Sequence, residues 1–148
     1  MASGSAEPIR LAGAIELPDG SWVRGRGVRE PLPPGPVPDF GVYLGVAYAP
    51  PWSHQRVAWR DFGLPRDPAE LVRQLRLVHQ RALAGGRVEV GCGHGLGRTG
   101  TAIAALAVLA GLPAEHAVVW TREHYRGRAV ETRGQRRFVE RLPDLLHC

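Results

Sequence analysis

The chain has 148 residues, which is enough for one domain with a sizeable core and too few for two ordinary domains. With 44% hydrophobic and 22% charged residues, its composition is close to the globular average and excludes a chain that is disordered throughout. All nineteen basic side chains are arginines and the net charge is +5, which favours anionic partners such as nucleic acid, acidic membrane surfaces or phosphorylated substrates. A general coding bias towards arginine explains the excess equally well.

The cysteines and the hydropathy pattern bear on the compartment. Cys92 and Cys148 are too few and too badly placed for a disulfide framework, which favours a reducing, intracellular environment. The sequence has neither a signal-peptide pattern nor an apolar run of membrane-spanning length. We therefore expect a cytoplasmic protein without membrane contact, with residues 1–7 as a disordered tail and residues 8–148 as one folded domain.

The first half of the chain reads as short strands joined by turns. The segments "PIRLAGAIEL" and "WVRG" flank the turn sequence "PDGS", which predicts a hairpin. Residues 31–38, "PLPPGPVP", contain five prolines and are predicted to be a rigid extended connector, with a proline-rich ligand segment as the alternative. The following "FGVYLGVAYA" is predicted to be a buried strand and "QRVAW" a short alternating one.

A helix is predicted to begin after Asp67, which is followed by proline and, three residues after the cap, by glutamate. It should end at Gly85, and its apolar stripe should consist of Leu71, Leu75, Val78 and Leu83.

The second half predicts a strand, a loop and three helices. "RVEV" reads as a strand, a glycine-rich loop follows, and "TGTAIAALAVLA" is a helix apolar on all sides, which belongs inside a domain. Further helices are predicted from Ala114 and from Glu131. This order predicts a single α/β domain with a central, mostly parallel (mixed) sheet flanked by helices and a strand–phosphate loop–helix active site.

The glycine-rich loop, "CGHGLGRTG" at residues 92–100, has the chemistry of an anion pocket. Its glycines let successive backbone N–H groups point into one concavity, to which the following helix adds its positive end. Arg98 can grip phosphate oxygens with two parallel hydrogen bonds, and Cys92 beside these donors should be reactive as a thiolate. A Walker A loop is excluded because no lysine follows the glycines, and the Rossmann spacing is absent.

The spacing of Cys92 and Arg98 alone is weak evidence, since in so arginine-rich a chain it arises by chance roughly one time in eight. Four more residues stand at fixed places in the motif, and requiring them lowers the chance to the order of one in ten thousand. They are Gly95, Gly97, Thr99 and Gly100.

With these residues in place, the loop resembles the Cys-x5-Arg-(Ser/Thr) signature of the cysteine-dependent protein tyrosine phosphatase superfamily, in particular its small dual-specificity and tyrosine phosphatase-like members. Upstream, "VAWRDFGLP" is similar to the family's acid loop, with matches at Trp59, Asp61, Phe62, Gly63 and Pro65. Downstream, "RGRAVETRGQRRF" is similar to a third family segment, with matches at Arg126, Val130, Thr132, Gln135 and Phe138.

The resemblance implies hydrolysis of phosphomonoesters through a cysteinyl-phosphate intermediate. Cys92 is then the nucleophile, Asp61 the general acid and base, and Thr99 the donor to the departing sulfur. The phosphate would be bound by Arg98 and by the loop residues Gly93, His94, Gly95, Leu96 and Gly97. Gln135 is the candidate for positioning water or the acid loop. The resemblance implies neither a metal nor a cofactor.

Three departures from the family pattern keep alternatives open. Gly91 replaces the histidine that usually precedes the nucleophile, Arg60 replaces the proline of the acid loop, and Glu131 replaces a glutamine. The alternative is a weakly active or inactive module of the same fold that binds phosphate or phosphoproteins, and a sulfur-transferring or redox loop is a more distant one. The partner is predicted to be a phosphorylated protein or a small phosphomonoester. Nucleic acid is not expected, and the oligomeric state stays open.

Overall fold

The computed structural model describes residues 9–60 and 63–146. The predicted tail, Asp61 and Cys148 therefore lie outside the described residues. The described strands are β1 (Ile15–Glu16), β2 (Trp22–Gly27), β3 (Phe40–Leu44), β4 (Ser53–Val57) and β5 (Val88–Cys92). The described helices are α1 (Pro68–Leu83), α2 (Gly97–Leu109), α3 (Ala114–His124), α4 (Arg133–Glu140) and α5 (Leu142–Leu146).

The strands form one mixed sheet in the order β1-β2-β5-β3-β4. Only β1 runs antiparallel, to β2, while the other neighbours are parallel. The predicted hairpin is confirmed: Leu17 donates to the carbonyl of Ser21 at 2.7 Å, and the side chain of Asp19 accepts from the Ser21 backbone N–H at 3.0 Å. The predicted α/β fold with a mostly parallel sheet flanked by helices is thereby confirmed.

Helix α1 begins as the sequence predicts but buries a slightly different stripe. Asp67 is the N-cap and accepts a hydrogen bond from the backbone of Glu70. Leu71, Leu75 and Val78 are buried, as predicted. The prediction was wrong for Leu83, which is 57% exposed: the core face is continued one residue earlier by the buried Ala82.

The sequence predicts a helix over "ETRGQRRFVERL", residues 131–142, and the structure has a helix there and a further short one after it. Helix α4 ends at Glu140 and α5 starts at Leu142. Pro143 contributes to this break because it has no backbone N–H with which to continue the hydrogen-bond ladder of α4.

The two faces of the sheet differ in chemistry. On one face, apolar strand residues such as Val42 and Val90 pack in the core with α1 and with the almost wholly buried helix α2. The strand residues that alternate with them are polar and buried: Arg24, Arg26, Tyr43 and Glu89.

The polar residues of the second face form one hydrogen-bonded network. Glu89 accepts from Arg24 Nε at 2.5 Å, from Arg26 Nε at 2.9 Å and from the Tyr43 hydroxyl at 2.7 Å. The segment after β3 covers this network: Trp52 Nε1 donates to the Tyr43 hydroxyl at 2.8 Å, and Tyr48 accepts from Arg26 at 2.9 Å. Across residues 9–60 and 63–146, no helix is long and apolar enough to cross a bilayer.

Candidate active site

The glycine-rich loop lies at the carboxyl edge of the sheet. Cys92 is the last residue of the central strand β5, and Gly97 is the first residue of α2. Ligand sites of open parallel sheets form at this edge, and the N-terminus of a helix favours a bound anion. Gly93 and Gly95 are buried, whereas His94 points outward and is exposed. The loop therefore turns its backbone towards one concave site.

The Cys92 thiol is held by two donors. It is 2% exposed, and its Sγ accepts from the backbone N–H of Gly95 at 3.2 Å and from Thr99 Oγ1 at 3.0 Å. Both donors stabilise negative charge on the sulfur. The geometry thus brings together Cys92 and Thr99, which the sequence analysis selected as a pair.

Arg98 is fixed by main-chain oxygens from two other segments. Its side chain is largely buried, and Nη1 donates to the carbonyl of Gly45 at 3.1 Å and to that of Trp59 at 3.3 Å. Gly45 follows β3, and Trp59 follows β4. The segments that follow β3 and β4 therefore orient the guanidinium beside the glycine-rich loop.

Gly63, two residues after Asp61, is held by two side-chain donors. The carbonyl of Gly63 accepts from Trp59 Nε1 at 2.8 Å and from Gln135 Nε2 at 3.3 Å. The other amide atom of Gln135, Oε1, accepts from the backbone N–H of Glu131 at 2.9 Å at the start of α4. Gln135 is fully buried and links α4 to the segment that carries Asp61, which itself lies outside the described residues.

Two residues that are not among the predicted site residues donate hydrogen bonds to carbonyls of the glycine-rich loop. The Tyr125 hydroxyl donates to the carbonyl of Gly95 at 2.5 Å, and the N–H of Val130 to that of Leu96 at 3.4 Å. Burial raises the pKa of Tyr125, opposed by the charge of Arg126, so the phenol remains a donor at neutral pH. Tyr125 directly precedes Arg126, the first residue of the third motif, and that neighbourhood is the signal that could have identified it.

Val130 carries local backbone strain next to the loop. Its φ is 63°, a left-handed conformation that is unusual for a β-branched residue, and it is 1% exposed. The segment passes close to the first turn of α2: a β-carbon at Gly100 would lie 2.6 Å from Ala129 Cβ and 2.8 Å from Val130 N.

Gly91, the residue before the nucleophile, is determined by packing on the second face of the sheet. A β-carbon at this position would lie 2.9 Å from the carbonyl oxygen of Arg26 and 3.2 Å from the Tyr43 ring. A histidine at position 91 would therefore displace β2 or Tyr43. The departure from the family pattern at this position follows from the fold of this chain.

Two arginines lie at the rim of the loop. Arg29 Nη1 is 3.5 Å from His94 Nε2, and Arg126 Nη1 donates to the His94 carbonyl at 3.3 Å. Arg126 also contacts the Glu30 carboxylate at 3.4 Å. Nothing in the sequence distinguishes Arg29 from the other arginines, and only the fold places it here.

A thiol and an arginine thus lie together at the carboxyl end of a parallel strand, in a glycine-rich loop that leads into a helix, an arrangement suited to binding an anion. A profile of the family described as "Protein-tyrosine phosphatase" matches residues 50–141. The chain belongs to this family and is a small dual-specificity or tyrosine phosphatase-like member of the cysteine-dependent superfamily, as the motifs predicted. The family and the fold support phosphatase activity in general.

Solved structures of the same fold agree with this assignment. The active form of Tk-PTP has a TM-score of 0.60 and 29% sequence identity, over 72% of this chain and 79% of Tk-PTP. Kinase-associated phosphatase, KAP, has a TM-score of 0.64 and 18% identity, over 76% of this chain and 71% of its own. DUSP15 has a TM-score of 0.59 and 17% identity, over 70% and 69%. KAP and DUSP15 are similar in fold alone, and no curated protein sequence matches the chain significantly.

Proposed function

We propose that the protein hydrolyses phosphomonoesters, chiefly protein phosphotyrosine and also phosphoserine or phosphothreonine, through a cysteinyl-phosphate intermediate. The observation that carries the proposal is the environment of Cys92 Sγ. It accepts hydrogen bonds from the Gly95 N–H at 3.2 Å and from Thr99 Oγ1 at 3.0 Å, and Arg98 follows in the same loop. The loop residues Gly93, His94, Gly95, Leu96 and Gly97 contribute backbone groups to the phosphate site.

In the first step, the Cys92 thiolate attacks phosphorus and the bond from phosphorus to the leaving oxygen breaks. Arg98 and the loop amides stabilise the charge on the equatorial oxygens. Asp61 donates its proton to the leaving oxygen. Support for this role comes from Trp59, two residues before Asp61, whose carbonyl accepts from Arg98 at 3.3 Å.

In the second step, water attacks the phosphorus of the cysteinyl-phosphate, and the bond between sulfur and phosphorus breaks. Asp61, now a carboxylate, accepts the proton of the water, and phosphate leaves the loop. The Thr99 hydroxyl stabilises the departing thiolate. Gln135 acts as a positioning residue, because its amide holds Gly63, two residues after Asp61.

Turnover of p-nitrophenyl phosphate and of a phosphotyrosine peptide tests the proposal. We expect Cys92→Ser to abolish phosphate release and Asp61→Ala to lower kcat about a hundredfold, the usual scale of general acid catalysis. Arg76→Gln, an exposed change on α1 that also alters the net charge, is the control and should retain activity. Normal turnover by Cys92→Ser would contradict the mechanism. Tight binding of the peptide by the wild type without phosphate release would instead identify a binding module.

A further inference from the structure

The backbone of Arg29 is fixed against the active-site loop. Beyond the end of β2, the N–H of Val28 donates to the carbonyl of Cys92 at 2.8 Å, and the N–H of Arg29 donates to that of Gly93 at 3.2 Å. The strand pairing thus continues into the loop. The Arg29 main chain is consequently held in a defined position relative to Cys92.

The Arg29 guanidinium lies beside the first residue after the nucleophile. A β-carbon at Gly93 would lie 3.4 Å from Arg29 Nε and 3.8 Å from Arg98 Nη2. The two guanidinium groups therefore border the same small space next to the loop. Arg98 closes the site of the reacting phosphate, while Arg29 is exposed and lies towards His94.

The charge of Arg29 is not neutralised within the part of the chain that the structure describes. Its side-chain polar contact there is the ring of His94, at 3.5 Å. Arg126, the other arginine at the rim, pairs with Glu30 at 3.4 Å. A positive group without a carboxylate, close to a second guanidinium, attracts an anion in addition to the one in the loop.

We propose that Arg29 binds a second anionic group of the substrate, so that the enzyme prefers phosphomonoesters with another phosphate or a carboxylate beside the reacting phosphate. This inference rests on the proposed function and adds the substrate class. Arg29 is a specificity-determining residue: it recognises the substituent and takes no part in the transfer of the phosphoryl group.

Three aryl phosphates that differ only in one substituent test the preference. They are phenyl phosphate, 3-carboxyphenyl phosphate and 1,3-phenylene bisphosphate. For the wild type we expect kcat/KM to be about tenfold higher for the substituted compounds, the scale of one charge-assisted hydrogen bond. Arg29→Gln should remove this ratio, and Arg76→Gln, which changes the net charge equally, should retain it. Whether kcat/KM rises with the carboxylate or with the second phosphate tells which of the two anionic groups Arg29 binds.

A wild type without preference, or an equal loss on all three compounds in Arg29→Gln, would overturn the inference. Binding separates this result from a failure of the proposed function. We expect Cys92→Ser to bind 1,3-phenylene bisphosphate about tenfold more tightly than phenyl phosphate in calorimetry, and adding Arg29→Gln to abolish the difference. This difference without turnover by the wild type would support the anion site and refute the phosphatase assignment. Equal affinities would refute the site whatever the activity.

Discussion

The chemistry of the site depends, at the residue scale, on the donors that face one sulfur atom. Thr99 is fully buried and lies in the first turn of α2, so its hydroxyl has few alternatives to Cys92 Sγ at 3.0 Å. In the proposed mechanism this donor stabilises the thiolate both when it attacks and when it leaves. In that mechanism the thiolate is the leaving group of the second step, so the loss of this donor should affect that step most.

We therefore predict that Thr99→Val, which retains the shape of the side chain, lowers the rate of breakdown of the intermediate about a hundredfold, as removal of one transition-state donor does elsewhere. Stopped-flow measurement with p-nitrophenyl phosphate should show a burst of nitrophenol followed by a slow steady state. The control is Thr121→Val, because the Thr121 hydroxyl is equally buried but donates to Ala117 within α3. A slower burst with an unchanged steady state would contradict the assigned role.

At the scale of elements, Gln135 joins the start of α4 to the segment around Asp61. Thr132 and Gln135 form a capping box, in which the Thr132 hydroxyl accepts from the Gln135 N–H at 3.1 Å. The Gln135 Nε2 donates to Gly63 in addition. The N-terminus of α4 and the position of Gly63, two residues after Asp61, thus depend on the same side chain.

Thr132→Ala and Gln135→Ala separate these two contributions. Each should lower the free energy of unfolding by about 1 kcal/mol, the usual effect of losing a helix cap. Only Gln135→Ala should also lower kcat, by about tenfold, because a small displacement of Asp61, the proposed general acid, would slow proton transfer. Urea denaturation and steady-state kinetics measure the two effects. An equal loss of kcat in Thr132→Ala would show that the cap alone accounts for the effect.

The sequence predicts those parts of the site that are local in the chain. Cys92, Arg98 and Thr99 lie within eight consecutive positions, so one strand, one loop and one helix suffice to bring them together. The N-cap at Asp67 is local in the same way. Tyr125 and Arg29 reach the loop through tertiary contacts. The position of Tyr125 directly before the third motif points to it, whereas no pattern along the chain distinguishes Arg29. The short helix α5 was not predicted, because its five residues form little more than one turn and leave no periodic pattern.

The buried network on the second face of the sheet is a property of the whole molecule. It joins β2, β3, β5 and the segment that carries Tyr48 and Trp52. Two arginines share the single carboxylate of Glu89. Burial, together with the neighbouring Glu89 charge, raises the pKa of Tyr43, so its hydroxyl remains a donor to that carboxylate.

Glu89→Gln should lower the free energy of unfolding by about 3–5 kcal/mol, because it leaves two buried guanidinium groups without a counter-charge. Tyr43→Phe removes one neutral donor from the same carboxylate and should cost only about 1 kcal/mol. Chemical denaturation at neutral pH gives both values. Similar losses in the two variants would indicate that packing, and not charge, is the main contribution of this network.

Arg98 is oriented by the peptide carbonyls of Gly45 and Trp59, and every amino acid carries such a carbonyl. At Gly45 the φ is 66°, and a β-carbon would overlap the Trp59 carbonyl and the Arg98 guanidinium, so the main-chain path there requires glycine. In evolutionary terms, the two segments can exchange most of their outward side chains while they retain the same contacts to Arg98. Mutations of these outward side chains can thus change the surface around the pocket. Substrate preference can diverge in this way while the contacts that orient Arg98 stay the same.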